Sequence, residues 1–256
     1  MSQSPSVPSS MLRSALALTA MELRLTLRRG ENLLVTAVIP AVVLLFFANV
    51  GILGPLTGRA VDFLLPGSIA LAVVATSLVS LGIATGYERS YGVLKRLGGS
   101  PLPRAGLVAA KILSVLVVEA TQVLLLTLLA IGVLGWQLPA GANLPVLMAA
   151  ILLGSLTFGG LGLLMAGRLR AEATLALANG LFLAFLLLGG IIIPIERLPA
   201  GLAAFAQVLP ASPLAEALRI ALATPGATAD PLGPLSALLA WGVVSAGLAS
   251  ITFRWD

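Results

Sequence analysis

Residues 63–86 read FLLPGSIALAVVATSLVSLGIATG, and residues 87–101 read YERSYGVLKRLGGSP. The first stretch is twenty-four residues without a charged side chain, long enough for an α-helix to cross a hydrocarbon layer about 30 Å thick. The second gathers Glu88, Arg89, Lys95 and Arg96 around Tyr91, Val93, Leu94 and Leu97, then stops on Gly-Gly-Ser-Pro. A long apolar run closed by a basic connector is what a helix leaving the bilayer looks like.

Working outward, five more apolar runs of similar length lie at 33–54, 106–134, 144–167, 173–193 and 233–252. Only 10% of the 256 residues are charged and 59% are hydrophobic, against about 25% charged in an ordinary soluble domain. That charge cannot coat a water-facing surface, so lipid is the solvent for most of the molecule. The expected fold is an all-α membrane protein whose six transmembrane helices occupy 32–256, with a kink at Pro40 in the first span. Residues 1–10 are Ser/Pro-rich and read as a disordered tail. No apolar core and cleavage site follow a short basic start, so they do not read as a signal peptide. In residues 11–31, Leu12, Leu16, Leu23 and Leu27 line one side of a helix beside Arg13, Arg24 and Arg28. This pattern suits an amphipathic helix lying in the headgroup layer.

Orientation follows from the basic residues. With the N-terminus inside, twelve of the fifteen Lys and Arg fall on the cytoplasmic side, leaving Arg59, Arg197 and Arg219 outside. An even number of spans then puts both termini in the cytoplasm of a multi-pass protein of the plasma membrane. The net charge of +5 belongs to loops lying against anionic membrane lipids, not to a nucleic-acid surface, for which no basic, aromatic-rich face exists. Cysteine and histidine are both absent, which excludes disulfides, thiolate nucleophiles, imidazole acid–base chemistry and metal sites built on these ligands.

Two connectors are unusual. Residues 87–103 alternate charged and apolar side chains as a short amphipathic coupling helix exposed to the cytosol would, and such a helix is a docking element. Residues 194–231 are too apolar for a solvated loop, yet Pro194, Pro199, Pro210 and Pro213 interrupt them. Backbone at membrane depth must satisfy its own hydrogen bonds, so two short re-entrant helices, about 199–207 and 213–223, are expected ahead of the last span. Small residues four apart, Gly82 with Gly86, Ser155 with Gly159 and Gly162 with Ala166, mark close helix contacts.

Glu119 is the only carboxylate deep in a span, with Gln122 on the same helix face. A charged carboxylate there costs at least about 2.5 kcal/mol, so it must be protonated, paired or facing a cavity. It either lines the transport path or an interface, or it is neutral glue between helices. Asn49 and Asn179 are weaker polar positions of the same kind.

The connector residues Glu88, Arg89, Gly92, Val93, Leu94, Leu97 and Ser100-Pro101 resemble the cytoplasmic signature of the membrane subunits of type-2 ABC exporters. Gly190, Pro194, Leu198-Pro199, Pro210, Pro213-Leu214 and Arg219 resemble their external one. The order of elements is similar over nearly the whole chain. The resemblance implies a permease that is no enzyme itself. No Gly-x-x-x-x-Gly-Lys-Ser/Thr loop is present, so the permease would bind no cofactor. ATP and Mg would sit on a partner ATP-binding subunit, two copies per complex, docked on Glu88, Arg89, Tyr91, Gly92, Val93, Leu94 and Leu97 and on the N-terminal helix. A second permease copy or a related permease would complete the pathway, with Pro194, Pro199, Pro210, Pro213 and Arg219 in its external gate helices.

The resulting expectation is ATP-driven export of a hydrophobic or amphipathic substrate, a drug-like metabolite or a lipid. Export of a polysaccharide or glycolipid would call for an aromatic-lined path, and aromatics make up 5% of the chain. A proton-coupled secondary transporter would need more titratable groups in its spans. An intramembrane enzyme would need a catalytic pair that a lone Glu119 does not supply.

Overall fold

The computed structural model describes residues 30–50, 58–93, 104–227 and 230–253, with side chains from 36 in the first helix and from 110 in the third. Helices make up almost all of it, and among the described residues there is no strand. They are α1 (Gly30–Val50), α2 (Ala60–Ser90), α3 (Arg104–Gly132), α4 (Leu144–Arg168), α5 (Ala171–Leu188), α6 (Ala200–Val208), α7 (Ala211–Ala221) and α8 (Leu232–Thr252). Five of these, α2 through α5 and α8, are long and apolar enough to cross a membrane. Helix α1 has 21 residues, about 31 Å at 1.5 Å per residue, and is apolar over Thr36–Val50. The expected all-α membrane fold is therefore the observed one. The interfacial helix expected at 11–31, the tail 1–10, and Leu94 and Leu97 of the connector lie outside the described residues.

Helix α2 is the buried axis of the bundle. Nearly every residue from Val61 to Leu78 is shielded, because α1, α3, α4, α5 and α7 all pack around it. In lipid, apolar side chains gain nothing by leaving the solvent, so close backbone approach and hydroxyl bonds must hold helices together. Helix α4 shows this best. A Cβ at Gly160 would lie 2.5 Å from Ser245 Oγ of α8. Beside it, Thr157 Oγ1 donates to Leu238 O at 3.0 Å and Ser245 Oγ donates to Thr157 O at 3.0 Å. Gly82 of α2 meets Gly162 of α4, where a Cβ on either would touch the other's backbone. Two of the four-apart small pairs read from sequence thus meet each other. The opposite faces of α3, α5 and α8 present Leu124, Leu128, Leu183, Leu187, Val243 and Ile251 outward, as lipid-facing surface should.

Three boundaries differ from the sequence expectation. Helix α2 runs through Ser90, so Tyr87, Glu88 and Arg89 form its last turn instead of opening a separate coupling helix. The physical reason is that both charged side chains find partners against neighbouring helices, described below, and need not leave the span. Helix α5 stops at Leu188, not at 193, because Gly189 and Gly190 follow and Gly190 takes φ +67°, a left-handed turn that glycine adopts without strain. Helices α6 and α7 occupy 200–208 and 211–221, close to the expected pair, with an 80° bend between them.

The prolines explain this hairpin. Pro199 and Pro210 are the residues just before α6 and α7, Pro194 precedes the 3₁₀ turn Ile195–Arg197, and Pro213 lies in the first turn of α7. Each stands where a backbone N–H has no helical acceptor to lose.

The two ends of the bundle segregate charge. Arg89, Lys111, Arg168 and Arg170 lie at the end where α2 and α4 finish, while Arg59, Arg197 and Arg219 lie at the other. At that second end the Arg59 guanidinium donates to Leu134 O at 2.5 Å and Gly135 O at 2.9 Å, covering carbonyls exposed just past the end of α3.

Candidate functional site

Three groups of polar residues stand out, at the Glu88 end, mid-bundle and at the Arg219 end. At the first, Lys111 Nζ of α3 donates to Glu88 Oε2 at 2.6 Å, with both side chains largely shielded. Arg89 Nη2 donates to Leu169 O at 2.5 Å, in the short link between α4 and α5. The last turn of α2 is therefore braced against two neighbours. Beyond it, Gly92 takes φ +68°, while Tyr91 is 70% exposed and Val93 is also exposed. Tyr91 stacks on Tyr87 at 6.0 Å. Of the sequence-selected residues here, Glu88 and Arg89 face the bundle, and Tyr91 and Val93 face away from it.

The mid-bundle group forms where α2 departs from α-helical geometry. Residues Val74–Ser80 are a π-helical stretch, which widens the turn and re-aims its side chains. Thr76 Oγ1 donates to Gln122 Oε1 at 2.9 Å, and Ser77 Oγ donates to Glu119 Oε1 at 2.6 Å. Ser155 Oγ of α4 lies in a short hydrogen bond with Glu119 Oε2 and at 2.8 Å from Ile151 O. A hydroxyl has one hydrogen, so Ser155 shares it between Glu119 Oε2 and the Ile151 carbonyl of its own helix. Glu119 and Gln122 are almost fully shielded, and Gln122 Nε2 has no partner among the described residues. Three helices of one protomer thus enclose Glu119. Asn179 lies elsewhere, exposed on α5 with its Nδ2 donating to Leu175 O at 2.9 Å, and Asn49 likewise bonds its own helix at Leu45 O.

The third group fixes the hairpin. Arg219 of α7 is buried; its Nη2 donates to Gly190 O in a short hydrogen bond, its guanidinium lies 4.0 Å over the Phe63 ring of α2, and Glu216 is 3.8 Å away. Around it, Gly67 of α2 leaves no room for a side chain, since a Cβ would sit 2.2 Å from Ile191 O. Thr224 Oγ1 donates to Asp62 O at 3.0 Å, and Asn143 N donates to Ala221 O at 2.7 Å. Arg219 therefore joins the segment after α5 to α2, while Pro199 is exposed and Pro210 buried.

Sequence reading picked out Gln122, Glu119, Glu88 and Arg219 but missed Thr76, Ser77, Lys111 and Phe63 as their respective partners. Adjacent hydroxyls at 76 and 77 in an apolar span were the available signal for the first pair. No group of three or more Asp or Glu that could hold a metal exists among the described residues.

A multi-helix bundle with a braced, partly exposed connector at one end and a proline-bent hairpin at the other defines a polytopic membrane protein. The family model for ABC-2 type transporters matches residues 13–223, and the chain belongs to that family. It is a membrane component of an ABC transporter. No curated protein matches the sequence.

Proposed function

We propose that this chain is the permease half of an ATP-driven exporter of the plasma membrane, with both termini in the cytoplasm. Two copies of an ATP-binding subunit supply the nucleotide and its Mg ion, and a second copy of this chain or a related permease completes the path. The substrate is hydrophobic or amphipathic, a drug-like metabolite or a lipid, because the spans carry almost no charge to complement a polar solute. The observation that carries docking at the Glu88 end is the division of labour in its last turn. Glu88 and Arg89 are tied to Lys111 and Leu169, so a push on Tyr91 and Val93 is passed to the bundle and not lost in a loose loop.

The test uses the cysteine-free background. Ser90→Cys should be labelled by an impermeant maleimide only from the cytoplasm, and Gln137→Cys only from outside. In complexes formed with a cassette ATPase, Tyr91→Asp or Leu94→Asp should lower co-purification at least several-fold while the permease still inserts. Labelling of both cysteines from one face would sink the topology, and unchanged assembly with unchanged ATP hydrolysis would sink the docking assignment.

A further inference from the structure

We propose that the π-helical stretch Val74–Ser80 is a register switch within α2, able to convert to α-helix and so rotate the Glu88 half of the helix against the Phe63 half. Its use in transport rests on the permease reading, but the switch itself does not.

π-Helices are rare, and a seven-residue one persists only where its surroundings hold it. Here the two halves of α2 are docked to different parts of the molecule. The first half carries Gly67 against the Ile191 carbonyl and Phe63 under Arg219. The second carries Gly82 against Gly162, Gly86 against Thr174, and the Glu88 and Arg89 braces. The π-stretch sets the angular phase between them.

The directional contacts of the stretch are few and polar. Thr76 and Ser77 each give one hydroxyl bond, to Gln122 and Glu119, and the Ser77 and Leu78 carbonyls lean over Gly162. A Cβ there would lie 3.0 Å and 2.9 Å from them. Val74 and Leu78 of the stretch are fully buried against the neighbouring helices, and the polar bonds set the phase within that apolar packing.

Buried polar groups left unpaired are a second observation. Four buried side-chain polar atoms have no partner among the described residues: Ser68 Oγ, Thr85 Oγ1, Gln122 Nε2 and Arg219 Nε. Two of these flank the π-stretch on α2 itself, and a third belongs to the residue that holds it. Native structures leave few such groups, and each calls for an explanation. A helix that trades between two registers cannot satisfy all its hydroxyls in one of them. Conversion to α-helix turns the far half by about 100° and shifts it about 1.5 Å. That motion breaks the Glu88–Lys111 and Arg89–Leu169 bonds, so force applied at that end and the state of the π-stretch are linked.

The experiment is a spin-label distance between Ser90→Cys and Glu172→Cys, both exposed, in the full chain reconstituted in lipid nanodiscs. The parent pair should give one distance population. Gly162→Ala, whose methyl group crowds the two carbonyls, and the double variant Thr76→Val with Ser77→Ala, which keeps size but removes the bonds, should each add a second maximum displaced by on the order of 10 Å. If Gly162→Ala fails to insert, the double variant decides alone. A single unchanged maximum in an inserted, monodisperse double variant overturns the proposal, as does broadening without a second maximum, which is fraying. These readings need no ATPase. If the second population appears in the variants but ATP trapping on a partner subunit does not raise it in the parent, the switch stands and its transport role falls.

Discussion

Glu119 and Arg219 are both ionisable, both buried and both central to how three segments meet, yet they are held by opposite means. Glu119 is enclosed mid-span by two neutral hydroxyls from two other helices, an arrangement that asks only for hydrogen-bonding atoms on a side chain of the right size. Arg219 sits nearer the end of the bundle and combines a backbone carbonyl, an aromatic face and a carboxylate, an arrangement that uses the planarity and charge of the guanidinium. The first is a shape-and-hydrogen-bond site and the second a cation site.

The largest effect should come from breaking the second. Arg219→Leu leaves the Gly190 carbonyl without its donor and removes the ring contact with Phe63, for a loss of about 2–4 kcal/mol. Chemical unfolding in detergent micelles measures it. Arg219→Lys should recover less than half of that, because an ammonium cannot lie flat on the ring while reaching the carbonyl. Full rescue by lysine would mean that charge alone matters and would remove the contrast with Glu119.

A smaller effect is expected at the first site. Glu119→Gln presents one donor to Ser155 and one acceptor to Ser77 in the same volume, so stability should change by less than about 0.5 kcal/mol and transport should persist. Glu119→Leu strands the Ser77 hydroxyl, leaves Ser155 only its bond to Ile151 O, and should cost about 1–2 kcal/mol. Loss of transport in a stably folded Glu119→Gln protein would show that the carboxyl acts on a substrate or proton, and the reading of this residue as helix glue would be wrong.

How much of this contrast was legible beforehand follows from the physics. The spans were readable because hydrocarbon thickness fixes their length, and the hairpin because proline can stand only at certain helix positions. The acid at 119 was conspicuous because charge is costly in lipid. Its partners were not, since Thr76 and Ser77 are ordinary residues on a helix whose phase changes at a π-stretch that no local pattern announces. Ideal α-helical spacing misplaces every side chain on one side of it. The end of α2 was misread for a related reason: Glu88 and Arg89 looked like connector residues because their partners, Lys111 and Leu169, are 23 and 80 positions away. Arg219 read as an external cation in a gate helix, and only the fold shows its guanidinium over Phe63.

The smallest effect sharpens the comparison from within the Glu119 group. Among the described residues Gln122 makes one side-chain bond, to Thr76, and leaves Nε2 buried without a partner. Replacing it with methionine removes both at once. The lost bond is worth about 0.6 kcal/mol between membrane helices, and Thr76 can turn its hydroxyl to a carbonyl of its own preceding turn. Against that, an unpaired buried donor costs about 1–3 kcal/mol, and Gln122→Met relieves it with a flexible apolar chain of similar length. Gln122→Met should therefore be neutral or more stable than the parent by up to about 1 kcal/mol, in the same unfolding measurement. A loss exceeding about 1 kcal/mol would mean that the amide has a second partner, an ordered water between α2 and α3 being the simplest. Mid-bundle glue would then include solvent, and Glu119 and Arg219 would differ less than their direct contacts indicate.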